Sequence, residues 1–85
     1  MRIVWQPPAR KDVRAIERSI AMNIFEGVLR HARDGGGDVA PLHGELAGCF
    51  RLRVGDYRVL FDLTGGAMRI FGVRHRSEAY RKPSS

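Results

Sequence analysis

The 85 residues leave room for one domain with a small core, since a chain this short buries only about 60–65% of the surface its unfolded form exposes. The formal net charge is +6, with 15 Lys and Arg against 9 Asp and Glu, which favours polyanionic partners and says little about the fold. No apolar run is long enough to span a bilayer, no secretory pattern precedes Pro7-Pro8, and the single cysteine, Cys49, excludes an intrachain disulfide, so a cytoplasmic setting is expected.

Ile3-Val4-Trp5 predicts a short first strand that stops at Pro7-Pro8. Pro8 suits the first turn of a helix, and Ala9, Val13 and Ile16 then mark a narrow apolar stripe. A second helix is expected from Ser19 or Ile20 to Arg33, with Ser19 as N-cap and Ile20, Ile24, Val28 and His31 at helical spacing. Asp34-Gly35-Gly36-Gly37 ends it, and Gly27 inside it suggests a close approach to a neighbouring element. Residues 34–45 read as a glycine-containing connection.

The last third is strand-like. Phe50, Leu52 and Val54 alternate with Arg51 and Arg53, the period-2 pattern of a strand with one buried and one wet face. Gly55-Asp56 is a tight hairpin signal, Tyr57 to Leu63 returns, and Thr64-Gly65-Gly66 turns the chain into a last strand, Met68 to Arg74. Cys49, Val59, Phe61, Ile70, Phe71 and Val73 are expected in the core, and residues 82–85 are expected to fray. The order predicts an α+β domain spanning residues 1–85, a helical pair on one face of a twisted, mainly antiparallel sheet.

Charge is unevenly placed. Residues 46–82 carry eight basic side chains against three acidic ones, whereas residues 1–45 carry seven against six. Guanidinium stays charged and offers forked donors that match phosphate oxygens, so the arginines interrupting this apolar sequence point to a nucleic-acid backbone or another polyanion. The three histidines are scattered and Cys49 stands apart from them, so neither a metal site nor a cofactor is expected.

The β-α-α-β-β-β order, Gly55-Asp56-Tyr57-Arg58 in the central hairpin and His75-Arg76-Ser77-Glu78-Ala79-Tyr80 at the end resemble the RelE-type toxins of bacterial toxin–antitoxin modules, within the RelE/ParE superfamily. The resemblance implies the RelE-like fold and a toxin that cuts mRNA in the ribosomal A site. The RNA's own 2′-hydroxyl is the nucleophile, without metal, and a cognate antitoxin, acidic or bearing an amphipathic helix, silences the toxin. Ribosome and mRNA are then partners, a membrane is not, and operator DNA is met only through the antitoxin complex.

By motif, the resemblance carries the catalytic patch onto Arg58, Arg74, Tyr80 and His75. Arg51, Arg53, Arg76 and Arg81 become RNA-phosphate contacts. Some RelE-type toxins have lysines at the positions of Arg51 and Arg53. Arginine does not release its proton, so here those two act as phosphate clamps and proton transfer falls to Tyr80 or His75. The competing readings are a ParE-like inhibitor of DNA gyrase, a non-catalytic basic RNA-binding module, and a degenerate toxin retained for pairing with its antitoxin.

Overall fold

The computed structural model describes residues 1–78, so Tyr80 and Arg81 lie outside the described residues. Strand β1 (Arg2–Trp5) leads directly into helix α1 (Pro7–Arg14), whose first turn holds both prolines where no N–H is required. Ala9 and Val13 are buried beneath α1, but Ile16 lies past its end, in the link to α2, where it still packs on the core.

Helix α2 (Arg18–Asp34) starts one residue before Ser19, and its cap is Glu17 rather than Ser19. The longer carboxylate arm reaches over the first turn and accepts the N–H groups of Ser19 at 3.2 Å and Ile20 at 3.3 Å, while the Ser19 hydroxyl donates to it. These bonds, led by the one from the Ser19 hydroxyl, hold the Glu17 carboxyl below the usual glutamate range. At the far end Gly35 is left-handed (φ 76°) and its N–H donates to His31 O at 2.8 Å. Ala21, Ile24 and Val28 form the buried stripe, whereas Ile20 and Leu29 are exposed. His31 is structural: its Nδ1 lies 3.0 Å from Gly36 O and its ring tilts against Phe61.

The connection expected at residues 34–45 contains a strand, β2 (Asp38–Pro41). It is only 4 residues long, has glycine before it and proline at its end, and becomes a strand by pairing antiparallel with its neighbour. A single 3₁₀ turn (Gly44–Leu46) then leads to β3 (Phe50–Val54), β4 (Tyr57–Thr64) and β5 (Ala67–His75). The five-stranded sheet runs β1-β5-β4-β3-β2; β1 is parallel to β5 and every other pairing is antiparallel.

Both helices cover one face of this sheet. Ala9, Val13, Ile24 and Val28 meet Leu52, Val59, Phe61, Met68, Ile70 and Val73 there, and Trp5 meets Phe25 edge-to-face at 5.3 Å. The opposite face carries a smaller apolar cluster of Leu46, Cys49, Leu60 and Phe71, roofed by the connection between β2 and β3. Cys49 is thus a small core residue. Phe71 is buried as expected, but on the face away from the helices, because a β-bulge makes it the extra residue between Ile70, opposite Phe61, and Gly72, opposite Leu60.

Candidate RNA interface on the open face of the sheet

Alternation places Tyr57, Val59 and Phe61 against the helices, so Arg58 projects from the opposite, open face. The same rule sends Leu52 and Val54 to the helices and Arg51 and Arg53 to the open face. Past the bulge, Val73 faces the helices and Arg74 the open face. Register then aligns them: Arg53 lies opposite Arg58, and Arg58 lies opposite Arg74. Three arginines therefore stand side by side across β3, β4 and β5. Directly opposed like charges oppose pairing, so each needs a local counterweight or an anionic occupant.

The counterweights differ. Arg58 curls toward the hairpin, where its Nη1 donates to Tyr57 O at 3.2 Å and Gly55 O at 3.3 Å. Arg74 Nη1 donates to Asp12 Oδ2, from α1, and to Val73 O at 3.3 Å. Arg53 is exposed and forms no ion pair among the described residues. Arg51 stands between Leu60 and Ala40; its Nη1 is 3.6 Å from Asp38 Oδ1, too far for a hydrogen bond, and is buried without an acceptor among the described residues. A buried guanidinium donor left open is uncommon and costs free energy unless something supplies the acceptor.

Arg69 is differently employed. Asp62 takes it in a bidentate grip, Nε at 2.8 Å and Nη2 at 3.1 Å, and that hydrogen bonding raises the Arg69 pKa further. Arg76 sits at the hairpin end of the sheet, its N–H donating to Asp56 O at 2.8 Å and its exposed Nε 4.0 Å from Asp56 Oδ1.

His75 is brought to the other side. It lies opposite Tyr57 with the rings edge-to-face at 5.4 Å, on the face that the helices occupy, while Arg74 and Arg58 are on the open one. Its Nδ1 accepts the Ser77 N–H at 3.3 Å and lies 2.8 Å from Ser77 Oγ, and its own N–H donates to Glu78 Oε1 at 2.9 Å. Sequence reasoning missed Asp12 and Gly72. Asp12 is an acid flanking the Ala9–Val13 stripe, and Gly72 interrupts a strand, the usual mark of a bulge or a close approach; both signals were present. Among the described residues, no helix is long and apolar enough to cross a membrane and no group of His, Cys, Asp and Glu could hold a metal ion.

Residues 3–80 match the family model described as the ParE toxin of the type II toxin–antitoxin system parDE. The chain belongs to the ParE toxin family. It is a toxin of the RelE/ParE superfamily, and its two helices on a mixed sheet are the fold of that superfamily. No curated protein matches it. Among solved structures it is similar to a chain of the toxin–antitoxin complex RelBE2 from Mycobacterium tuberculosis, 28% identical over 88% of this chain and 96% of that one, with a TM-score of 0.78. The YoeB–YefM complex of Staphylococcus aureus is 19% identical, with 88% and 95% covered and a TM-score of 0.72. YafQ of E. coli is 20% identical, with 91% and 96% covered and a TM-score of 0.70. These last two likenesses are of fold.

Proposed function

We propose that this toxin is an endoribonuclease that stops translation by cutting mRNA in the ribosomal A site, and that a cognate antitoxin holds it silent. The observation that carries this reading is the row Arg53–Arg58–Arg74 on the open face, with Arg51 beside it offering an unfilled donor. In such a cleavage the 2′-oxygen attacks phosphorus, the P–O5′ bond breaks, and a 2′,3′-cyclic phosphate and a 5′-hydroxyl result. The 2′-proton must be removed, the phosphorane charge stabilised and the 5′-oxygen protonated. Arg58 and Arg74 stabilise the charge, and Arg51 and Arg53 clamp neighbouring phosphates. Arg76 and Arg81 extend the contact along RNA. Proton transfer is assigned to Tyr80 rather than His75, because His75 packs on Tyr57 on the face away from Arg58 and Arg74. Catalysis needs no metal in this scheme, and the toxin works in the cytoplasm, where ribosomes are.

RelBE2 and YoeB–YefM are described as toxin–antitoxin complexes, which supports an antitoxin partner here. The open face is basic, so the proposed antitoxin presents acidic side chains to it, and added salt weakens the exposed contacts.

A second reading, inhibition of DNA gyrase, draws on the ParE description of the matching family model. One experiment separates the two: purified, antitoxin-free protein in a translation reaction, with mRNA 5′ ends mapped beside an Arg58→Ala control. New ends at A-site codons, about 10²–10³-fold fewer with Arg58→Ala and absent without ribosomes, support the nuclease. Intact mRNA together with inhibited gyrase supercoiling would replace it with the second reading.

A further inference from the structure

Asp12 is the one acidic residue of α1, and a single oxygen of its carboxylate serves two donors. Oδ2 accepts the N–H of Val73 at 3.0 Å and also Nη1 of Arg74. The first bond has a topological cause. Strand β1 pairs with β5 only as far as Ile70, whose carbonyl also accepts the Gln6 N–H at 2.9 Å, so Val73 presents its N–H on an edge that no strand among the described residues covers. Helix α1 packs along that edge, and Asp12 supplies the missing acceptor.

The second bond decides where a catalytic candidate points. Arg74 lies directly opposite Arg58, and repulsion alone would turn it away or leave it mobile. Its side chain is instead only 17% exposed and Asp12 28%, and Nη1 is tied at both Asp12 and Val73 O. Gly72 clears the path: a Cβ there would stand 3.2 Å from Nη1. The anchor engages one nitrogen, and Nε and Nη2 form no hydrogen bond among the described residues, so donors remain for an anion.

We propose that Asp12 is a positioning residue, which holds the Arg74 guanidinium in the orientation that meets the reacting phosphate beside Arg58. This rests on the nuclease reading above. Electrostatics alone forecasts the opposite sign: removing a carboxylate from a basic protein strengthens attraction to RNA, so a variant lacking it should bind RNA as well or better and cut undiminished.

The test compares wild type, Asp12→Asn, Asp12→Glu, Arg74→Ala and the Asp12→Asn/Arg74→Ala double variant in single-turnover mRNA cleavage on ribosomes. Binding to a 2′-O-methyl RNA oligonucleotide, which cannot be cut, is measured in parallel. Asparagine retains an oxygen for the Val73 N–H, so the fold is kept, but it removes the negative charge that makes the bond to the Arg74 guanidinium charge-assisted. Positioning gives Asp12→Asn about ten- to a hundred-fold slower cleavage at saturating ribosomes, with half-saturation and oligonucleotide affinity undiminished. Asp12→Glu recovers part of the rate, and Asp12→Asn adds no further loss to Arg74→Ala. Undiminished or faster cleavage by Asp12→Asn, or an equal further loss in the Arg74→Ala background, overturns the proposal. Nitrogen-15 spectra of the arginine Nε–H groups supply a readout independent of cleavage. If wild type leaves mRNA intact, the nuclease reading falls; if Arg74→Ala cuts like wild type, the nuclease stands but the role of Arg74 in it falls, and the positioning role of Asp12 with it. Even then, an Arg74 signal ordered in wild type and lost in Asp12→Asn supports the anchoring, and a signal unchanged by the substitution overturns it.

Discussion

Replacing Gly27 with alanine sets a helix preference against a packing distance. Glycine in a helix interior costs about 1 kcal/mol relative to alanine, so on propensity alone Gly27→Ala should stabilise α2 by that amount. The added Cβ, however, would lie 2.8 Å from Val54 Cγ2 and 3.6 Å from its Cγ1, on the strand beneath. Relief requires a β-branched side chain to leave its rotamer or α2 to lift from β3, and overpacking of this kind costs about 1–3 kcal/mol. The expected net result is a loss of about 1 kcal/mol, which lowers Tm by about 4–8 °C in a domain of this size. Urea unfolding followed by circular dichroism measures it, beside Val54→Ala and the double variant. Val54→Ala alone costs about 1 kcal/mol for the methyl groups removed from a half-buried site. In the double variant the clash is gone, so it should be more stable than the sum of the single changes by about 1–3 kcal/mol. A Gly27→Ala protein more stable than wild type, with no coupling to position 54, would refute the reasoning.

Glu17→Gln should change how stability responds to acid. The folded state holds the Glu17 carboxyl below its usual range, so its contribution is complete above the ordinary glutamate value and fades as pH falls through the lowered one; the Tm gap between wild type and Glu17→Gln, scanned from about pH 3 to 7, should narrow on acidification. Leu60→Ala empties the centre of the small open-face cluster, where Leu60 is fully buried, and should lose about 2–5 kcal/mol in urea unfolding; a loss well under 1 kcal/mol would mean that this cluster carries no structural weight. Gly72→Ala presses on the tip of a flexible arginine rather than on backbone, so it should leave Tm nearly unchanged while slowing mRNA cleavage as Asp12→Asn does.

The helices, the hairpin and the core of the last three strands were legible because each repeats a physical period long enough to recognise. Val13 and Ala9, or Ile24 and Val28, are one helical turn apart, and Leu52 or Val59 alternate with arginines that a strand must turn outward. Strand β2 carries no such period. Its 4 residues are a strand only because Asp38 and Ala40 find Arg53 and Arg51 across the sheet. The cap of α2 was misplaced because Ser19 and Glu17 both offer oxygens to the first turn, and reach decides between them. The arginines of the open face could be named from the sequence, but Asp12 could not be matched to Arg74, because 61 residues of chain separate Asp12 from the Val73 N–H that fixes its place.

The bulge explains why the arginine row exists. The turn at Gly65-Gly66 pairs Thr64 with Ala67 and carries that register back through Asp62 opposite Arg69 and Phe61 opposite Ile70. Continued without interruption, it would set Arg58 opposite Val73. Strict alternation from Met68 and Ile70, both packed toward the helices, would turn Arg74 into the helical core and His75 to the open face. One extra residue at Phe71 reverses both assignments. Phe71 fills the open-face cluster, Val73 returns to the core, Arg74 comes opposite Arg58, and His75 moves behind the sheet to Tyr57. A residue register in β5 therefore determines which titrating or charged side chains share a face. Gly72, within the bulge, leaves the space through which Asp12 holds Arg74.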